Sequence, residues 1–133
     1  MSIENIKYSQ EWLKQAEYDA GTAEAMFKAG RNIYCIFMCH LALEKALKAL
    51  YARNFDQNPP KIHSLVYFAQ KLNLDLPRGL KEFTENLDEV SVPVRYPDEL
   101  SKLLREYNKT RTKNILVKTK ELLKWLQAKI GKR

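Results

Sequence analysis

Eight polar residues of this sequence carry side chains suited to binding a phosphate group or a base. They form a polar stripe inside an apolar stretch, a histidine that follows two prolines, and a short proline-containing segment. Arg, Lys and His bind phosphate through charge-assisted hydrogen bonds, and a tyrosine ring can stack on a base. If the three groups converge, they predict a nucleotide or phosphate site made of His40, Glu44, Lys45, Lys48, His63, Arg95, Tyr96 and Asp98.

Each group also has a purely structural interpretation. Glu44 and Lys48 stand in the favourable order for an i,i+4 ion pair, which contributes only about 0.2–0.5 kcal/mol. His63 could bond to nearby backbone at the start of a helix, and Arg95 could pair with Asp98 to fix a loop. No phosphate-cradling glycine loop, His-Glu-x-x-His or Gly-x-Ser-x-Gly motif occurs in the chain, so no catalytic residue is assigned.

The two cysteines do not extend this set into a metal site. Cys35 and Cys39 are four residues apart in an apolar stretch, which predicts two small buried side chains on one face of a helix. Their spacing to His40 and His63 fits no common zinc pattern. We therefore expect no metal and no required cofactor, with a nucleotide as the ligand.

Helical periodicity runs through nearly the whole chain and predicts an all-α fold. The predicted helices span residues 9–29, 32–53, 64–72, 78–90, 98–107 and 110–130. Long amphipathic helices joined by modest loops are typical of an up-and-down four-helix-type bundle, here with additional short helices. The length fits a single domain over residues 1–133, with its core at about 9–130.

Particular residues set the expected helix ends and the expected centre. Ser9 and Asn32 are predicted N-caps, and Gly30 is a predicted C-terminal stop. Pro93 and Pro97 should keep the 91–97 segment out of a helix.

The 32–53 helix is apolar almost all round in its first half, which predicts a central helix and, beyond that, a subunit contact. A homodimer is therefore expected. Asp19 falls on or near the buried stripe of the first helix, so its carboxylate is expected to point inward.

The charge balance points to an anionic partner. The net charge is +7, and residues 102–133 alone hold eleven Lys or Arg against two Glu, an excess of +9. A basic surface attracts nucleic acid, nucleotides or an acidic protein, although a solvated helix face is an equal alternative. No apolar run approaches about 20 residues and the N-terminus lacks a signal-peptide pattern, so we expect a cytoplasmic protein without a membrane association.

Several of these segments, taken together, resemble the HEPN domain family. The run from His40 to Leu50 resembles the family's second-helix motif, and Trp12, Ala16 and Asp19 match its opening helix. The 59–65 segment matches its proline and His-x-Leu step, the 95–97 segment matches its Arg-Tyr-Pro loop, and the 123–125 segment matches its closing helix. The resemblance covers roughly residues 9–130.

This resemblance implies a helical bundle that is usually homodimeric. In prokaryotes such domains commonly stand beside a minimal nucleotidyltransferase in toxin–antitoxin-like pairs, as a substrate-binding subunit or as the toxin. Some members bind nucleotides. Many are metal-independent ribonucleases built on Arg-x4–6-His, where His moves a proton and Arg stabilises phosphate charge.

The chain departs from that ribonuclease motif. The positions where histidine should follow Arg95 are Leu100, Ser101 and Lys102, and no other arginine has a histidine at this distance. We therefore expect a non-catalytic nucleotide- or RNA-binding module that is the partner of a minimal nucleotidyltransferase. The alternatives are an RNA endonuclease with an atypical site, using His63 or His40 with Arg95, and a purely structural interaction subunit.

Overall fold

A computed structural model describes residues 3–95 and 100–131. This part of the chain contains six α-helices and no strand, so the predicted all-α bundle is confirmed. The helices are α1 (Ile3–Lys28), α2 (Asn32–Phe55), α3 (Leu65–Lys71), α4 (Leu80–Arg95), α5 (Leu100–Glu106) and α6 (Lys109–Gly131). Over the described ranges, every helix is too short or too polar to cross a lipid bilayer.

Helix α2 lies at the centre of the bundle, as predicted. It packs along α1 and α6 and also contacts α3, α4 and α5. Small side chains make this close packing possible: Cys35 and Cys39 are fully buried and meet Ala23 of α1 and Leu116 of α6. The remaining core is built mostly from leucines of α2, α4 and α6 around Phe68 of α3.

The two predicted N-caps are wrong, because both side chains make tertiary contacts instead. Helix α1 begins at Ile3, and Ser9 lies inside it, with its buried hydroxyl donating to the Ala49 carbonyl at 2.8 Å. Asn32 is the first residue of α2, and its side-chain amide donates to the Tyr107 carbonyl at 3.1 Å. A polar side chain that is satisfied by another helix no longer competes with its own backbone.

The prediction that residues 91–97 leave the helix is wrong for residues 91–95. Helix α4 continues through Pro93 to Arg95. A proline removes one backbone hydrogen bond and crowds the carbonyl four residues earlier, here that of Glu89. Val90 and Val94 pack against the core on either side of it, which offsets that cost. Tyr96, Pro97 and Asp98 lie outside the described residues.

Local signals at the other helix ends agree with the structure. Gly30 has φ of +76°, and the amides that follow α1 bond back to its last turn, so its predicted role as a stop is confirmed. Ser64 is the N-cap of α3, with its hydroxyl oxygen accepting from the Tyr67 amide at 3.1 Å. This cap places His63 immediately before the first turn of α3.

Candidate functional site

The first part of the site is a carboxylate that joins three helices. Asp88 of α4 accepts from the backbone amides of Leu65 and Val66, at 2.8 and 3.0 Å, and from the Ser64 hydroxyl at 3.0 Å. It also lies 2.8 Å from Nε2 of His40, which is fully buried in α2. Asp88 therefore caps the N-terminus of α3 and fixes it against α2 and α4.

These contacts favour the charged form of Asp88. Burial by itself would raise the pKa of this carboxyl group. The hydrogen bond with His40 and those from the amides of Val66 and Leu65 outweigh burial, so the pKa of Asp88 is lowered from its ordinary value of 3.8.

A second carboxylate, Glu44 of α2, contacts both an imidazole and an ammonium group. Its side chain is only 3% exposed, and its oxygens lie 3.1 and 3.2 Å from Nδ1 of His63. The Lys48 ammonium group, one turn further along α2, lies 3.2 Å from Oε2 of Glu44. The structure therefore confirms the Glu44–Lys48 pair expected from the sequence and adds His63, which the sequence placed in a separate group.

His63 and Lys48 differ in their access to solvent. The His63 side chain is 68% exposed, whereas Lys48 is buried, with its ammonium 5.3 Å from the Trp12 ring centre and 5.8 Å from that of Phe68. When Nδ1 of a histidine donates to a carboxylate, Nε2 is an acceptor in the neutral ring and a second N–H donor, able to bind a phosphate oxygen, in the protonated ring. Nε2 of His63 forms no hydrogen bond within the described residues, so it is available to a ligand.

Lys45, another predicted site residue, does not belong to the Glu44 cluster. Lys45 pairs with Asp19 of α1 at 2.8 Å, which makes it part of the α1–α2 contact. The Asp19 carboxylate points inward, as predicted, and its Oδ2 is in ion-pair contact with Lys45 without hydrogen-bond geometry. Arg95 ends α4, two turns and about 10 Å along the axis beyond Asp88. Tyr96 and Asp98 fall outside the described part of the chain.

An open pocket of about 440 Å³ adjoins Lys48. One wall is the face of α1 that carries Tyr8, Trp12 and Gln15, and the other wall is the loop around Pro59 and Lys61. Helical spacing explains the first wall, because residues at i, i+4 and i+7 share one face of a helix. The same loop leads directly to His63, so the pocket and the Glu44 cluster are neighbours along the chain and in space.

The family model described as "HEPN domain" matches residues 9–130. This chain belongs to the HEPN domain family. The range that matches is the one that carried the sequence resemblance, and it holds all six helices except the first turns of α1 and the last residue of α6.

Two solved structures share the fold of this HEPN domain. A protein from Thermus thermophilus is 24% identical, covers 91% of this chain and 97% of its own, and superimposes with a TM-score of 0.76. An archaeal HEPN homologue is also 24% identical, with 92% and 98% covered and a TM-score of 0.72. None of the curated proteins matches the chain in sequence.

Sequence reasoning missed two elements of the candidate site in this HEPN domain. Asp88 was not singled out, although an aspartate on a predicted helix face beside Leu87 is a candidate for an inward carboxylate. Trp12 was assigned to the buried stripe, and it is partly buried, but it also lines the pocket beside Lys48. A tryptophan is large and carries a polar N–H group, so one at the end of a buried stripe could have been expected to reach the surface.

Proposed function

We propose that this HEPN domain is a non-catalytic nucleotide- or RNA-binding module that acts as partner of a minimal nucleotidyltransferase. The observation that carries the proposal is the cluster on Glu44. One buried carboxylate holds an exposed imidazole and a buried ammonium beside an open pocket. A phosphate that enters the pocket would accept hydrogen bonds from groups whose positions are already fixed, which lowers the entropic cost of binding.

Binding is favoured over catalysis by what surrounds the two histidines. His40 is fully buried and bonded to Asp88, so it does not touch a ligand. Ribonucleases of this family combine a histidine with an arginine at a fixed distance, and that motif is absent from the sequence. General acid–base help is typically worth about 10²–10⁴-fold in rate, so its loss leaves a site that binds without turning over.

The exposed face of α2 supports a homodimer as the assembly. Tyr34 is 63% exposed, and Phe37, Met38 and Leu41 are only partly buried, although α2 is the central helix. These residues lie three and four apart and so form one apolar stripe. A second copy of the chain would bury this stripe in an isologous contact, which sedimentation equilibrium or light scattering would detect as a dimer.

The nucleotidyltransferase partner rests on the family resemblance and on charge. Helix α6 carries seven Lys or Arg against a single Glu, a net +6, which suits an acidic protein or an RNA held between the two proteins. Co-expression with a nucleotidyltransferase encoded next to this chain, followed by gel filtration, is the test. Elution of both chains in one complex is expected, and separate elution would contradict the partnership.

Isothermal titration calorimetry with ATP, GTP and short RNA tests the binding function directly. We expect saturable binding that falls several-fold in His63→Ala and Lys61→Ala, since Lys61 lines the pocket and His63 is the exposed member of the adjoining Glu44 cluster. Arg95→Ala and Lys45→Ala extend the test to the other predicted residues.

Lys28→Ala is the matched control, because Lys28 is 75% exposed and lies on α1 about 24 Å along the axis from Trp12. Binding that is absent, or equal in all variants, would overturn the proposal. A purely structural subunit predicts the first of these outcomes.

A second candidate function, metal-independent RNA cleavage, is favoured by one observation. His63 is exposed, and a buried carboxylate fixes its ring, an arrangement that orients general bases in enzymes. Incubation of the pure protein with total RNA, beside His63→Ala, decides the matter. Cleavage by the wild type that is lost in the variant would establish this function, and equal cleavage by both would exclude His63.

A further inference from the structure

We propose that the pocket between α1 and the 58–61 loop is a nucleobase subsite, in which a base stacks on the Trp12 ring while its phosphate faces Lys61 and His63. The inference rests on the proposed nucleotide-binding function and assigns the part of the ligand that enters the pocket. It names a mononucleotide, or one unpaired nucleotide of an RNA, as the occupant.

The walls of the pocket suit a flat aromatic ligand. Trp12 is partly buried and lines the pocket, Tyr8 lies one turn before it on α1, and Pro59 faces them from the loop. Small-molecule pockets are typically about 300–1,000 Å³ and mostly apolar, and the volume of about 440 Å³ falls in that range. Stacking on tryptophan tolerates any base, because every base has a π face.

The two walls of the pocket carry different charges. The α1 wall carries Glu11 and Gln15, and the loop wall carries Asn58 and Lys61. Carboxylate and amide groups can pair with the hydrogen-bonding edge of a base. Glu11 repels a phosphate and Lys61 attracts it, so the ligand is oriented with its phosphate towards the loop and His63.

Lys48 connects the pocket to the Glu44 cluster. Its ammonium lies 5.3 Å from the Trp12 ring centre and 3.2 Å from Glu44 Oε2. The cation is attracted to the indole ring, and both side chains line the pocket. A ligand on Trp12 is therefore close to the same ammonium that the Glu44 carboxylate holds in place.

The larger pocket elsewhere in the bundle is a poorer fit for a base. It has a volume of about 690 Å³ and lies where the start of α1 meets the ends of α2 and α6. None of the described residues that line it has an aromatic ring, and its Arg53 guanidinium already donates to the Lys129 carbonyl at 2.7 Å. The pocket at Trp12 therefore combines stacking and phosphate contacts, and this one does not.

Tryptophan fluorescence gives a direct test, because the chain has only two tryptophans. In a Trp125→Phe background, Trp12 is the sole reporter, and Trp125 lies outside the pocket, on α6. We expect adenosine 5′-monophosphate to quench Trp12 emission saturably, and ribose 5-phosphate to leave the emission unchanged. Stacking requires the base, so only the nucleotide should be effective.

Affinity measurements by calorimetry complete the test. Trp12→Leu should weaken the binding of adenosine 5′-monophosphate by about tenfold, the loss expected for one stacked base. Tyr8→Ala, at a partly exposed position, should weaken this binding less. It provides a second test if Trp12→Leu does not fold. Tyr18→Ala, at a site 77% exposed elsewhere on α1, is the control and should bind as the wild type does.

The outcomes separate this inference from the proposed function. If adenosine 5′-monophosphate or RNA releases heat on binding but Trp12 emission does not change, and Trp12→Leu and Tyr8→Ala keep full affinity, the base subsite is overturned while nucleotide binding stands. If no nucleotide or RNA releases heat, both are overturned. Quenching together with lost affinity in Trp12→Leu establishes the subsite.

Discussion

Nε2 of His40 and Oδ1 of Asp88 lie 2.8 Å apart, although 48 residues separate them in the chain. The same carboxylate caps the first amides of α3 and bonds to Ser64. His63 directly precedes Ser64, so the contact between the buried histidine and Asp88 positions the exposed histidine of the candidate site. A ligand that binds His63 therefore depends on a hydrogen-bond network in the interior.

Replacement of Asp88 by asparagine should destabilise the fold and loosen α3. An amide cannot accept from His40, Ser64 and two backbone amides at once, so at least one buried donor loses its partner, at a cost of about 1–3 kcal/mol. Urea unfolding followed by circular dichroism measures the change. Asp75→Asn, at an exposed position between α3 and α4, is the control; equal unfolding free energies of the two variants would contradict the prediction.

The contribution of Asp88 should depend on pH in one direction. Its pKa is lowered in the folded state, so its stabilising effect is fully present above the ordinary carboxyl pKa and is lost as pH falls through the lower folded value. The difference in unfolding free energy between wild type and Asp88→Asn should therefore be constant near neutrality and shrink below about pH 4. If the difference in unfolding free energy grows as the pH is lowered, the predicted direction of the pH dependence is wrong.

Glu44→Gln should affect both stability and binding. It leaves the buried Lys48 ammonium without its counter-charge and His63 without its carboxylate, and removal of one partner of a buried pair costs about 3–5 kcal/mol.

The double variant Glu44→Gln/Lys48→Met should recover much of the stability, because it buries no unpaired charge, but should not recover nucleotide affinity. Chemical denaturation and calorimetry on the same preparations measure the two effects. Recovery of both together would mean that the cluster has only a structural role.

Pro93→Ala should stabilise the domain. The substitution restores the backbone hydrogen bond to the Glu89 carbonyl inside α4 and removes the clash with that carbonyl. Part of the gain is offset by a more flexible unfolded chain, so we expect a net increase of about 1–2 kcal/mol. Pro77→Ala, which lies before α4, should not increase the unfolding free energy; a lower midpoint for Pro93→Ala would contradict the prediction.

RNA binding should fall steeply with salt, and α6 should account for part of the slope. Lys113, Lys118 and Lys124 are exposed on this helix, and each phosphate contact to a single strand contributes about 0.7 to the slope of log K against log salt. The triple variant to glutamine should reduce the slope by about 2 in fluorescence anisotropy titrations. If the triple variant has the same slope of log K against log salt as the wild type, these lysines do not contact RNA and are only solvated.

Binding of a mononucleotide is the internal control for the salt prediction. Cys35, which faces α6, and Glu44, which faces His63, are nine residues apart, so they project from opposite sides of α2. A small ligand at the pocket cannot reach the α6 lysines. Its affinity should therefore be the same in the triple variant and in the wild type.

The sequence predicted the number and order of the helices because the apolar period is strong in each of them. It was wrong where a side chain had a partner far along the chain. Ser9 resembles a cap, but its hydroxyl bonds to Ala49 in α2. Pro93 resembles a helix breaker, but valines on both sides of it pack into the core and α4 continues. Local rules describe the preference of a segment, and tertiary packing can exceed that preference by a few kcal/mol.

The candidate site divides in the same way. The sequence by itself determined the helical fold, the family and the polar stripe on α2, because these depend on spacing within single segments. Only the tertiary structure decided that Lys45 belongs to Asp19, that His63 belongs to Glu44, and that His40 is buried on Asp88. Hydrogen bonds and ion pairs act over about 3 Å, and the pairing of charges from different helices depends on how those helices pack, which no local pattern records.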